Sequence, residues 1–365
     1  MTIRRRVLGI VVAIVAVMLL SLGLALNYNS PCRPADVASA SKTLMKAITQ
    51  RCYGSPDVLK LEDIEKPTPA DNEVLVRIHA ASVNPIDWHL MRGTPAVVRL
   101  QTGLGRPRYS GAGIDFAGTV EAVGTHVKQF QPGDSVFGGT DGAFAEYVRM
   151  PADGALVMKP KNLTFEQAAA APIAAITALQ ALRDRGRIQP GQKVLINGAS
   201  GGVGTFAVQI AKALGAEVTG VCSTRNVEMV RSIGADHVID YTREDFTRGA
   251  QRYDLILDNV GNRSVLEYRR VLAPAGIIVI VGFDSISGIA RTMVLSPFVS
   301  QKVVSFQANL NKADLNVLRE LMQDAKVTPV IDSRYRLSEL PAAIGYLEKG
   351  HARGKVVITM EQPGG

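Results

Sequence analysis

The sequence predicts an α/β fold: a parallel sheet covered by helices on both faces, joined to a compact β-rich unit and preceded by an apolar helix. Three observations predict it. From residue 193 onward, short apolar runs alternate with segments of helical spacing, as parallel strands with two buried faces require. Before residue 164, short alternating runs are separated by glycine turns, which suits a small β-rich unit. Residues 7–26 (VLGIVVAIVAVMLLSLGLAL) carry no charge and follow Arg4, Arg5 and Arg6.

Composition narrows the class. A chain of 365 residues suggests about two domains at ~150 residues each. With 47% hydrophobic and 20% charged residues, it is globular and not disordered. The formal charge of +8 is concentrated partly in the N-terminal arginines. No long basic run follows, which argues against nucleic acid. Cys32, Cys52 and Cys222 are the three cysteines, too few for a disulfide framework or a four-cysteine zinc site.

The elements follow in order. A run of ~20 apolar residues can span a bilayer, so residues 1–26 read as a membrane anchor with a single transmembrane helix through 7–26. An export signal is the rival reading. Asn27, Tyr28 and Asn29 follow the run without a small-residue cleavage pair, which favours the anchor. Three basic residues precede the span, and Arg33, Lys42 and Lys46 follow it. The tighter N-terminal cluster favours an inside N-terminus. Residues 27–44 have linker composition. Met45 then opens the folded part, and a start there is an alternative. Residues 73–79, 118–123 and 135–137 are expected strands. Thr164 and Gln167 form a capping box ahead of an alanine-rich helix reaching about Leu182. Strands are expected at 193–197, 217–222, 238–240, 253–260 and 276–282, with a helix at 206–214. The late strand 355–360 is expected to return to the first unit.

Residues 197–204 (NGASGGVG) join an expected strand to an expected helix. In that context the loop predicts dinucleotide binding. Gly201 lets the backbone approach a diphosphate, and Gly204 lets the helix pack close to the strand. Ser200, Gly202 and Val203 complete the turn, and the free N–H groups at the helix start face the phosphates. Ala199 stands where the first glycine usually falls. The end of the next strand lacks the Asp or Glu that binds a ribose diol. It offers Ser223, Thr224 and Arg225, two hydroxyls and a guanidinium that suit a 2′-phosphate and therefore NADPH.

These motifs, with residues 81–87 (ASVNPID), 113–120 (GIDFAGTV), 132–136 (PGDSV) and 354–357 (GKVV), resemble the medium-chain dehydrogenase/reductase superfamily in its zinc-independent quinone oxidoreductase branch. The resemblance runs from Met45 to the C-terminus. It implies a GroES-like β domain over 45–170, a Rossmann-type NADP domain over 171–304 and a C-terminal return over 305–365. It implies NADPH-dependent hydride transfer to a small electrophile, a quinone or an α,β-unsaturated carbonyl. An NADP-dependent alcohol dehydrogenase and an NADPH-binding scaffold or redox sensor are the alternatives. A homodimer is common in the resembling family.

No metal is expected. Ile114 stands where zinc-using relatives carry histidine, the Asn84 region lacks a ligand cysteine, and Cys52 reads as a packed residue. Without a Lewis acid, alcohol oxidation is harder than reduction of an electrophile. Asn84 and Asp87 are implied to line the pocket. His89 falls where some relatives carry tyrosine and could donate a proton. Each has a plainer reading: Asp87 as a helix cap, His89 as a structural histidine, and solvent as the proton source. The resemblance further implies cofactor contacts from Thr177, Tyr241, Gly282 and Phe283, and the stretch ending at Arg353 could close over the cofactor. NADPH use places the catalytic domain in the cytoplasm, against the bias of the N-terminal arginines.

Overall fold

A computed structural model describes residues 2–34, 43–282 and 302–360, with residues 2–12 and Leu19 described by backbone alone. The first helix, α1 (Thr2–Asn27), contains the whole apolar run. The bilayer span expected over 7–26 falls partly on residues whose side chains lie outside the described residues. Among the described residues no helix is long and apolar enough to cross a membrane.

The segment after α1 is tied back onto the fold. The Ser30 N–H donates to the Gly105 carbonyl at 2.9 Å, and Arg99 Nη1 donates to the Tyr28 carbonyl at 3.1 Å. Cys32 and Cys52 form a disulfide across a separation of 20 residues. This corrects the expectation that Cys52 merely packs. It is buried because the linker's own thiol comes to meet it.

Strands β1 (Leu44–Gln50) and β2 (Leu59–Glu65) form an antiparallel pair. Next, β3 (Glu73–Val83) runs into α2 (Pro85–Arg92) and the short α3 (Arg99–Thr102). Pro85 presets φ at the start of α2, and Gly93 ends it at φ 62°, a left-handed cap that glycine adopts without steric cost. Strands β4 (Asp115–Val123), β5 (Ser135–Gly139), β6 (Tyr147–Pro151) and β7 (Leu156–Met158) follow. Two helices then lead away, α4 (Phe165–Ala169) and α5 (Pro172–Gln180). The predicted box is present, with Thr164 Oγ1 accepting from Gln167 N and Gln167 reciprocating.

The second sheet is wholly parallel among the described residues. Its strands are β8 (Lys193–Asn197), β9 (Glu217–Cys222), β10 (His237–Asp240), β11 (Tyr253–Asp258), β12 (Leu272–Ile280) and β13 (Lys302–Ser305), in the spatial order β10-β9-β8-β11-β12-β13. Helices α6 (Gly202–Ala213), α7 (Val227–Ser232) and α8 (Val265–Tyr268) join them. After α9 (Lys312–Gln323) come β14 (Ile331–Arg336), α10 (Leu340–Leu347) and β15 (Lys355–Thr359). Strand β15 pairs antiparallel with β3 and carries β14 on its other side, so the late strand does rejoin the first sheet. That sheet runs β14-β15-β3-β4-β5-β7, with β6 also on β3.

One core joins the two sheets. Ala80, Ala117 and Phe137 of the first sheet cluster with Ala174, Ala175 and Ala178 of α5 and with Val194 and Ile196 of β8. Alanine on α4 and α5 lets both sheets approach closely, and fully burying a Leu, Ile or Phe side chain in such a core contributes ~1.5–3 kcal/mol.

Candidate active site

The glycine loop is built by close approach. Gly198 sits at φ 77°, and Gly201 caps α6 in an extended conformation. A Cβ added at Gly204 would lie 2.0 Å from the Gly198 carbonyl oxygen, so the helix seats on the loop only because that atom is missing. Ala199 at the first-glycine position is fully buried and donates its N–H to Val221.

Beside this loop, Asn226 Nδ2 donates to Ser200 Oγ at 3.0 Å and to Ser223 Oγ at 3.3 Å. The sequence reading missed Asn226, although it closes the run that supplied Ser223 and Arg225. Arg225 is exposed, and its Nη2 donates to the His351 carbonyl at 2.8 Å. The structure thus brings Arg225 together with the stretch that ends at Arg353, whose side chain is exposed. Thr224 Oγ1 donates to Asp240 Oδ2 at 2.5 Å. An acid does therefore stand near the end of β9, supplied by β10. Its pKa is lowered by the hydrogen bonds from Thr224 and Thr242, which keep it anionic.

Tyr241 is exposed and donates its N–H to the Cys222 carbonyl. Thr177 is buried, with Oγ1 donating to the Ile173 carbonyl at 2.7 Å. Gly282 lies against Asn259, whose carbonyl oxygen would be 2.2 Å from an added Cβ. Phe283 lies outside the described residues. These residues fit NADPH on two counts: the loop is a cradle that a Cβ would fill, and the buried Asn226 Oδ1 and Asn259 Oδ1 have no protein partner.

A second polar cluster lies where β3, β4 and β15 meet. Asn84 Nδ2 donates to Asp115 Oδ2 at 2.8 Å, and Ser82 Oγ donates to the same oxygen at 3.1 Å. Asp115 Oδ1 accepts the Ile173 N–H at the start of α5. Lys355 Nζ donates to Asn84 Oδ1 at 2.5 Å. Asp87 Oδ2 accepts the Asn84 N–H at 2.7 Å, so Asp87 does serve α2 as a cap. Its Oδ1 is buried without a partner. Burial pushes the Asp87 carboxyl up to about 7, against the pull of the Asn84 N–H, while Asp115 adds to the rise and Lys355 opposes it. Burial also raises Asp115 and lowers Lys355, and each offsets the other's shift.

His89 is placed apart. Two residues are ~200° of helix turn, so it faces away from Asp87. Its Nδ1 lies 2.8 Å from the Thr94 carbonyl, and its ring stacks on Trp88 at 3.6 Å. Burial lowers its pKa. The cluster does not fit zinc: Ile114 offers no donor atom, Asn84 is committed to Asp115 and Lys355, and a buried ammonium lies 3.7 Å from Asp115. Among the described residues no group of three or more His, Cys, Asp or Glu could hold a metal.

Two family patterns match the chain: an alcohol dehydrogenase GroES-like domain over residues 70–161 and a zinc-binding dehydrogenase over 233–358. The mouse NAD(P)H oxidoreductase RTN4IP1, mitochondrial, is 35% identical over 90% of this chain and 93% of its own length. The Arabidopsis thaliana NADPH-dependent alkenal/one oxidoreductase, chloroplastic, is 33% identical over 86% and 79%. The quinone oxidoreductase structure from Coxiella burnetii superposes with a TM-score of 0.78 at 33% identity, covering 87% of this chain and all of that one. A parallel sheet with a glycine loop after β8, fused through one core to a β-rich lobe, defines a two-domain nicotinamide-dependent oxidoreductase. The chain belongs to the medium-chain dehydrogenase/reductase superfamily, in its zinc-independent quinone oxidoreductase branch.

Proposed function

We propose that this protein is an NADPH-dependent oxidoreductase that reduces a quinone or an α,β-unsaturated carbonyl. The observation that carries the reading is a buried polar cluster, built around a lysine and two carboxyls, beside a dinucleotide-binding glycine loop. The relatives' names agree with it: NAD(P)H oxidoreductase, alkenal/one oxidoreductase and quinone oxidoreductase. NADPH, when bound, supplies the hydride. The protein has to orient donor and acceptor and manage one proton.

The residues divide that work. Ser200, Gly201, Gly202, Val203 and Gly204 hold the diphosphate, and Ser223, Thr224 and Arg225 hold the 2′-phosphate. Thr177, Tyr241, Gly282 and Arg353 complete the cofactor crevice. Asp87 gives a proton to the acceptor oxygen: its Oδ1 is buried without a partner, and burial pushes its carboxyl up to about 7. Asn84 orients it. His89, turned away and bonded at Thr94, is the alternative proton donor. The domain division is 45–170, 171–304 and 305–365, and α1 holds the protein at a membrane. An alcohol dehydrogenase would need a Lewis acid here, and the cluster has a lysine instead.

The test is oxidation of NADPH and NADH by the full chain with a panel of quinones and enones, beside Arg225→Ala. Turnover should favour NADPH, and the preference should fall by about 10- to 100-fold in the variant, the worth of a charged hydrogen bond. Tight NADPH binding without turnover on any acceptor would replace the enzyme reading with a scaffold. Equal use of NADH by the wild type would remove Arg225 as the selector.

A further inference from the structure

Lys355 opens β15 with its side chain 3% exposed. A lysine this buried must be paired and hydrogen-bonded. Its Nζ donates to Asn84 Oδ1 at 2.5 Å and to the Val83 carbonyl at 3.0 Å, and lies 3.7 Å from Asp115 Oδ2. Its stem passes the glycine loop, where a Cβ added at Gly202 would lie 3.3 Å from Lys355 Cδ. One ammonium therefore joins the β3–α2 junction, β4 and the cofactor loop.

We infer that Lys355 is a positioning residue of the hydride-transfer site, whose ammonium locks the Asn84 amide at the start of α2 and, through Asn84, sets the place of Asp87, whose second carboxylate oxygen is buried without a partner. The inference rests on the proposed role of Asp87 as proton donor. The Asn84 amide has a single arrangement that satisfies both neighbours, Oδ1 toward Lys355 and Nδ2 toward Asp115. Each polar end of the amide is held by one of these neighbours, and the Asn84 backbone N–H is taken by the Asp87 carboxylate.

The charges around Asp87 decide how it titrates. Asp115 faces it from β4 and Lys355 from β15. On α2 itself, His89 is bonded at Thr94, and Arg92 is paired with Glu348, which follows α10. The turn Pro56–Val58, packed on α2, brings Asp57. Lys355 is thus the cation that restrains proton uptake by Asp87. The proton step balances simply: the Asp87 O–H breaks, an O–H forms on the reduced acceptor, and a solvent proton restores the carboxyl.

The experiment compares full-length wild type with Lys355→Met, Lys355→Gln, Lys355→Arg and Asp87→Asn. It measures kcat against pH with NADPH and a quinone. It also follows the aspartate carboxyls of the cofactor-free protein by 13C NMR, with NADPH affinity and Tm as controls. In the wild type, kcat should fall as Asp87 loses its proton near neutral pH. Asp87→Asn should flatten that break and lower kcat by roughly 10²-fold, the usual worth of a general acid. Removing the ammonium should move the break and the Asp87 carboxyl signal to higher pH, and Lys355→Arg should restore both. Lys355→Gln keeps a hydrogen-bond donor and is read in place of the Met variant should that one not fold. If Asp87→Asn leaves the break in place, the Asp87 reading fails. If Asp87→Asn removes the break but the lysine variants lower Tm and leave it at the wild-type pH, Asp87 stands and the role of Lys355 is overturned.

Discussion

Asp87 caps a helix and titrates far from an ordinary carboxyl. One oxygen serves α2, and the other is buried without a partner. The carboxyl sits at about 7 in the fold against an ordinary 3.8. A group whose folded value is raised binds its proton better folded than unfolded, so the stability it contributes is full below the ordinary value and is lost as pH rises through about 7. Asp87→Asn removes that loss. The variant should gain Tm over wild type at pH 8 relative to pH 5, by a few degrees, since each kcal/mol is worth roughly 2–4 °C in domains of 150–250 residues. An identical difference at both pH values would show that Asp87 is not shifted. Arg225 stands out in the sequence by its place after β9, and Asp87 by the family resemblance, with its role as a cap read from the helix start. Lys355 does not stand out, because a lysine opening a strand reads as solvated, and what buries it is Asn84, 271 residues earlier.

Strands β8 and β9 fall on the predicted residues, 193–197 and 217–222. Both faces of a central parallel strand are covered, so each reads as an apolar run against glycine or charge. Two of the missed strands have the opposite character. β2 (LKLEDIE) alternates with charges and exposes half its side chains, and β14 (IDSRYR) is a polar edge. Their pairing depends on partners elsewhere in the chain, which local periodicity does not report. The α6 start was read late, at 206 instead of Gly202, because glycines conceal a helix whose first turn serves the cofactor. That first turn gives a sharp test. Gly204→Ala places a methyl group against the Gly198 carbonyl, and NADPH affinity measured by its fluorescence should fall at least ~10-fold, with α6 pushed off its seat. Unchanged affinity would mean that the loop is not the diphosphate site.

On the scale of the whole molecule, alanines of α4 and α5 join the two sheets in one hydrophobic core. The N-terminal segment is attached to that body at Gly105, Arg99 and Cys52. If α1 anchors the protein, full-length chain should stay with membranes through an alkaline carbonate wash, whereas chain beginning at Met45 should be released. Release of both would leave α1 as a peripheral helix. The order of the strands has a further consequence, in time. The first sheet is laid down early, but β14 and β15 are among the last residues described. A ribosome synthesising this chain has finished the glycine loop about 150 residues before it delivers Lys355. Until then Asp115 and Asn84 lack the ammonium that pairs them, and the edge of β3 that β15 will cover stays open. The Asn84–Asp115–Lys355 cluster therefore closes late in synthesis, long after the glycine loop has been made.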